Sequence, residues 1–250
     1  MPRKHSPVMA KLSGFLALGA RFLVSLAAPP LCRHCGASLL GRQNPYLCAD
    51  CLKDIVWIGD GACRRCGYPA GAHAKLGNNC NHCRNMELPL TAAAATARYT
   101  HSARNLVTAL KFRGETELAK PLAGLMAERF RSSGLPRADL ILPVPLHPSR
   151  RRQRGFDQAA MLASRLSGAT GIEARTGLLR KIRHTRPQSS LDRESRFGNV
   201  RDAYKAESSL SGLKILLIDD VMTTGATMGE CAKACRKAGA ARVYALVFAR

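Results

Sequence analysis

The run Ile215-Leu216-Leu217-Ile218 is followed at once by Asp219 and Asp220. An unbroken β-prone apolar run predicts a central parallel strand covered on both faces. Leu140 to Val144 has the same character and predicts a second strand. The pattern then changes period: Met228, Cys231, Ala232, Cys235 and Ala238 recur at helical spacing, predicting a helix that starts just after Thr227 and runs through Cys231 to Lys237. Its two cysteines read as part of a buried stripe of small residues. Near the amino terminus, Leu12, Phe15, Leu16, Gly19, Phe22, Leu23 and Leu26 fall at i, i+3, i+4 and i+7, an amphipathic helix ending before Pro29-Pro30. Arg21 divides the apolar stretch there into two runs, each too short to cross a bilayer, which takes about 20 apolar residues. The helix is therefore expected to pack onto the next domain rather than onto a membrane, and the protein to be cytoplasmic. Residues 180–199 show no apolar period and are expected to contain a mobile loop. These breaks give an amphipathic helix over 1–29, a cysteine-rich segment over 30–86 and an α/β domain over 90–250.

Composition sharpens this picture in two ways. With 250 residues, 46% of them apolar, the chain can bury at least one sizeable core, which excludes disorder as its dominant state. Its formal net charge of +22 points to an anionic partner, and phosphorylated metabolites, nucleic acid and acidic membrane surfaces all qualify. The thirteen aromatic residues are few for a dedicated base-stacking surface. The charge is locally concentrated, with thirteen Lys and Arg between Arg150 and Arg201 against Asp157, Glu173, Asp192 and Glu194.

Eight of the ten cysteines form four CxxC pairs: Cys32/Cys35, Cys48/Cys51, Cys63/Cys66 and Cys80/Cys83, separated by 12, 11 and 13 residues. Two thiolates three positions apart on a tight knuckle converge on one tetrahedral metal, and a second knuckle about a dozen residues later completes a four-sulfur site. Four knuckles make two zinc sites. Glycine follows the second cysteine in Cys32-Arg33-His34-Cys35-Gly36 and in Cys63-Arg64-Arg65-Cys66-Gly67, as a knuckle with positive φ requires. Pairing first with second and third with fourth closes the shorter loops, and a crossed pairing of first with third is the alternative. Four sulfurs leave no open coordination position, so the sites read as structural. His34 and His82, inside knuckles, read as spectators.

Asp219 and Asp220 stand at the carboxyl end of the predicted strand, where open α/β sheets bind ligands. The loop Thr223-Thr224-Gly225-Ala226-Thr227 follows, rich in hydroxyls, with a glycine for the turn and a helix amino terminus immediately after it. Loop N–H groups, Thr hydroxyls and the positive end of the helix dipole suit a phosphate dianion. The carboxylates suit ribose hydroxyls, directly or through a divalent cation. Acid pair and loop in this order describe a sugar phosphate held from two sides.

This segment resembles the type I phosphoribosyltransferases. The likeness extends to the ComF family when the four CxxC knuckles are joined by Leu110-Lys111-Phe112-Arg113-Gly114, by Pro143-Val144-Pro145-Leu146-His147-Pro148 with Arg151, Arg154, Gly155 and Phe156, by Arg186-Pro187-Gln188 and by Asn199-Val200. The resemblance implies an α/β fold, a type I phosphoribosyltransferase-like parallel sheet with flanking helices, preceded by a double zinc ribbon. It implies phosphoribosyl pyrophosphate with Mg as ligands, Asp219 and Asp220 as catalytic residues at the ribose hydroxyls, and Thr223, Thr224, Gly225, Ala226 and Thr227 around the 5′-phosphate. It implies pyrophosphate held by Arg151 and Arg154 in a loop running from Pro145 to Phe156. Where members of the family often carry Arg-Gly-Phe-Asn-Gln, this chain has Asp157, an acceptor-only side chain in place of an amide that can also donate. The function implied is phosphoribosyl transfer to an unnamed acceptor in natural transformation or DNA utilisation. The competing reading is an adaptor for single-stranded DNA or a DNA-uptake helicase, with the sugar-phosphate pocket vestigial or regulatory.

Overall fold

The computed structural model describes residues 30–41, 44–69, 80–84, 86, 88–185 and 198–250. The helix expected over 1–29 and the Arg186-Pro187-Gln188 motif lie outside the described residues. The chain divides between Asp54 and Ile55 into two compact units.

In the smaller unit, the first knuckle is a turn in which the Cys32 N–H donates to the Ala37 carbonyl and the Gly36 N–H donates to the Cys32 carbonyl. Gly36 takes φ of +76°, the left-handed region that glycine enters without steric cost. The second knuckle opens α1 (Ala49–Lys53), whose N-cap is Cys48, its sulfur accepting from the Cys51 N–H.

The larger unit repeats the first of these turns. The Cys63 N–H donates to the Tyr68 carbonyl, the Gly67 N–H donates to the Cys63 carbonyl, and Gly67 has φ of +66°. The unit then builds a four-stranded parallel sheet in the order β1-β6-β5-β2, from β1 (Ala92–Ala97), β2 (Leu140–Pro143), β5 (Lys214–Val221) and β6 (Arg242–Ala249). Parallel neighbours need long crossovers. These are supplied by α2 (His101–Phe112), a short 3-10 turn (Thr116–Leu118), α3 (Ala119–Ser132), α4 (Pro148–Arg154), α5 (Gln158–Thr170) and α6 (Ala226–Lys237). A separate antiparallel ribbon pairs β3 (Leu179–Lys181) with β4 (Tyr204–Ala206).

Side chains alternate across the sheet. Ile215, Leu217, Val243, Ala245 and Val247 enter a core shared with Cys231, Ala232 and Cys235 of α6 and with Cys63, Cys66 and Cys83. The second cysteine cluster is thus built into the core of the α/β unit. The intervening residues Leu216, Ile218, Leu246 and Phe248 are fully buried on the opposite parity, and α3 and α5 pack against each other and against the sheet. Among the described residues, no helix is long and apolar enough to cross a membrane.

The segment after β2 departs from the sequence expectation of an irregular loop. Residues Pro148–Arg154 form α4, because Pro148 suits the first helical position, the His147 ring caps it by accepting from the Ser149 N–H at 3.3 Å, and Gly155 ends it at φ +82°. Four arginines leave this helix with no apolar stripe, so periodicity could not find it.

Candidate functional site

The strand alternation that builds the sheet also splits the acid pair. Asp219 shares the parity of Ile215 and Leu217 and faces α6 and the ribbon. Asp220 turns the other way, toward α2, where its Oδ2 lies 2.8 Å from the Lys111 ammonium. Asp220 is almost wholly buried, at 1% exposure, and its Oδ1 accepts from the Val221 N–H at 2.9 Å. Asp219 accepts from the Asp220 N–H at 2.9 Å. Burial, then the neighbouring Asp220 charge, push the Asp219 carboxyl well above the ordinary carboxylate range, with Lys111 opposing them. Burial would lower Lys111, but the two carboxylates outweigh it and hold its ammonium above the usual lysine value.

Beyond the pair the chain turns through Thr223 to Gly225 into α6. Gly225 has φ of +85°, and the Thr224 hydroxyl accepts from the Ala226 N–H at 3.4 Å. Asp219, Asp220, Thr223, Gly225 and Thr227 line a cleft of about 500 Å³ at the carboxyl ends of β5 and β2, while Thr224 and Ala226 are buried behind it. The opposite wall carries Arg150 and Arg154 of α4. Arg154 donates to the Gln158 amide oxygen at 2.6 Å, and its guanidinium stands 5.5 Å from the centroid of the exposed Phe112 ring. Arg151 is exposed and points elsewhere than the cleft wall, whose second α4 arginine is Arg150.

The ribbon supplies Lys181 and Tyr204. Lys181 donates to the Thr185 hydroxyl at 2.7 Å and lies 5.4 Å from the Tyr204 ring centroid. Burial and then the Arg150 charge lower its pKa to about 8. His147, edge-on to His184 at 4.9 Å, is also held low, first by burial and then by His184, Lys181 and Arg152. Asp157 caps α5, accepting from the Ala160 N–H at 3.0 Å. That task needs only an acceptor, so the carboxylate performs it as an amide oxygen would, although burial pushes the Asp157 carboxyl above its ordinary value. Sequence reasoning quoted Lys111 only inside a motif, and missed Arg150's place in the wall, Lys181, Tyr204 and Arg250. Arg250 donates through Nη1 to the carbonyls of Met222 and Thr223 at 2.8 and 3.1 Å, at the start of the Thr-rich loop.

The cysteines form two groups, Cys32, Cys35, Cys48, Cys51 and Cys63, Cys66, Cys80, Cys83, with all sulfurs of each within 4.8 Å of one another. Knuckles one and two meet, as do three and four. The Sγ separations Cys32–Cys51 and Cys66–Cys80 of 3.7 Å, Cys35–Cys48 of 3.6 Å and Cys63–Cys83 of 3.8 Å match the edge of a tetrahedron with Zn–S bonds, about 3.8 Å. His34 approaches Cys51 Sγ at 3.0 Å but belongs to neither group.

A parallel sheet with this acid pair, loop and cleft defines a phosphoribosyltransferase-like protein carrying two four-cysteine ribbon sites. Residues 152–250 match the phosphoribosyl transferase domain and residues 23–84 the double zinc ribbon domain. The chain belongs to the ComF family. It is 33% identical over 222 residues to the DNA utilization protein YhgH of Salmonella typhi, covering 87% of this chain and 96% of that one. It is 29% identical over 228 residues to competence protein F of Haemophilus influenzae, covering 88% and 96%. It is 30% identical over 204 residues to competence protein ComFC of Streptococcus pneumoniae, covering 81% and 86%.

Proposed function

We propose that the chain binds phosphoribosyl pyrophosphate with Mg²⁺ in this cleft, in the cytoplasm, and serves natural transformation or the use of incoming DNA. The observation that carries the reading is the order of parts along one continuous segment. Two carboxylates end β5, and a hydroxyl-rich loop then leads into the amino terminus of α6. The loop N–H groups and the helix dipole would take the 5′-phosphate, and Asp219 and Asp220 would take the ribose hydroxyls. Arg150, Arg154 and Lys181 line the side where pyrophosphate would lie, and guanidinium forks suit it. Mg²⁺ fits the carboxylate chemistry of the pair and would neutralise the pyrophosphate. The Asp220–Lys111 contact compensates one of the two carboxylates. Transfer, where it occurs, would break the anomeric C–O bond, with the cationic wall stabilising departing pyrophosphate. The exposed Arg151 and Arg152 of α4, outside the cleft, favour single-stranded DNA as a second ligand.

Calorimetric titration of phosphoribosyl pyrophosphate with Mg²⁺ tests the reading. Wild type is expected to bind, and the Asp219→Asn, Asp220→Asn double variant to lose binding. Silence from wild type would sink the proposal, and equal binding by both would sink the site assignment. DNA affinity measured across salt concentrations tests the second ligand, for which a steep fall with salt is expected.

A further inference from the structure

The second cysteine cluster touches the Thr-rich loop from behind by two routes. The first runs through Arg250. Its backbone is fixed on both sides against β1, its N–H donating to the Ala97 carbonyl at 2.9 Å and its carbonyl accepting from the Tyr99 N–H at 2.8 Å. The side chain is buried and donates to the carbonyls of Met222 and Thr223, which follow the acid pair after Val221. The same guanidinium lies 5.7 Å from the centroid of the Tyr68 ring. Tyr68 is part of the third knuckle: its carbonyl accepts from the Cys63 N–H at 2.9 Å. Its ring stacks at 4.2 Å, nearly parallel, on His82, the residue before Cys83. The second route is steric. Leu88, five residues beyond Cys83, packs so closely on Gly225 that a Cβ there would stand 3.2 Å from Leu88 Cδ2.

The knuckle itself is anchored to the sheet. The Ala93 N–H donates to the Arg64 carbonyl at 2.8 Å, and Gly67 lies against the backbone of Ala94 and Ala95, where a Cβ would be 3.2 Å away. Arg250 also leaves Nε and Nη2 buried without a hydrogen-bond partner among the described residues. Buried donors beside a four-thiolate site suit the net negative charge that such a site carries once it holds zinc.

We propose that the cluster Cys63, Cys66, Cys80 and Cys83 is a positioning element for the loop 222–227, with Arg250 as the positioning residue that couples the two, so that metal occupancy of this cluster sets anion affinity in the cleft. The ligand in this statement rests on the function proposed above; the mechanical coupling does not. By linkage the dependence runs both ways, so a bound anion must also raise the affinity of this cluster for metal.

The test uses the full zinc-loaded chain and reads amide hydrogen exchange at 222–227. In Arg250→Met, exchange there is expected to rise about tenfold, the scale of one lost charge-assisted hydrogen bond, with zinc content still two per chain and the sheet still protected. Arg250→Lys, which keeps the charge but loses the fork, should fall between, and Tyr68→Leu provides a route should the Arg250 variants fold poorly. Stripping zinc with a chelator should raise wild-type exchange at 222–227 and add less in Arg250→Met, where only the Leu88 contact remains. Exchange within about twofold of wild type in a folded Arg250 variant, or exchange at 222–227 indifferent to zinc, overturns the proposal. In a parallel titration, Arg250→Met should bind phosphoribosyl pyrophosphate with Mg²⁺ about tenfold more weakly. Should wild type bind none, the functional reading fails alone, because the exchange data still decide the coupling.

Discussion

Replacing Lys111 by Met keeps the length of the stem and removes the cation 2.8 Å from Asp220. At an effective dielectric of about 20, that contact is worth about 6 kcal/mol of gross attraction, most of it offset by desolvating the two charges. Removing one partner of a buried pair costs about 3–5 kcal/mol, because the other charge stays buried without compensation. The Lys111 side chain is 21% exposed against 1% for Asp220, which places the expected loss near the lower end, about 3 kcal/mol. For a unit of this size that corresponds to a Tm lower by about 6–12 °C.

The loss should depend on pH in a definite direction. Lys111 opposes the upward shift of Asp219, so without it that carboxyl rises further. A carboxyl raised in the folded state contributes stability that is full below its unfolded value and is lost as pH climbs through the raised folded value. The deficit of Lys111→Met is therefore smallest near pH 4 and grows as pH rises from there. Adding Asp220→Asn to Lys111→Met should return most of the stability, since it removes both the charge orphaned by the first change and its repulsion of Asp219. Denaturant titrations of the four proteins at pH 4.5 and 7.5 provide the measurement. A deficit below about 1 kcal/mol at neutral pH, or one that does not shrink on acidification, would refute the reasoning.

Asp219→Asn alone should stabilise the ligand-free protein at pH 7 by about 1 kcal/mol while abolishing the proposed ligand binding, a trade-off expected where a half-buried carboxylate stands beside a buried one. Its advantage should vanish below the ordinary carboxylate pKa, as differential scanning at several pH values would show. Because Lys181 is lowered to about 8, affinity for phosphoribosyl pyrophosphate should fall as pH rises through that value, and Lys181→Met should flatten the profile in that window. Gly225→Ala should cost about 1–2 kcal/mol in urea denaturation, since φ of +85° is strained for any residue with a Cβ whether or not Leu88 moves aside. Complete metal removal should release two zinc ions per chain, measured against a colorimetric chelator.

What the sequence makes legible here is what lies close together along it. The run from Ile215 to Thr227 carries strand, acid pair, loop and helix start within one short segment, and each CxxC pair declares a knuckle by itself. The residues missed are those whose partners are remote. Arg250 reaches loop carbonyls 27 and 28 positions away, and Lys111 meets a carboxylate from a different layer of the fold. β1 is five alanines and a threonine, whose strand character comes from pairing with β6 rather than from propensity. β3 and β4 have three residues each, too few for any period to show. The sharing of one core by the second cysteine cluster and the sheet has no local signature, because it follows from how Ile215, Val243 and Cys66 meet in space.

The central claim, that the cleft at the carboxyl end of β5 holds phosphoribosyl pyrophosphate, is tested most directly by a crystal structure grown with saturating ligand and Mg²⁺. The expected density places the 5′-phosphate within hydrogen-bond distance of N–H groups in 223–227, the ribose hydroxyls on Asp219 and Asp220, and pyrophosphate toward Arg150, Arg154 and Lys181. A cleft without ligand density under those conditions, or ligand bound anywhere else on the chain, would contradict it.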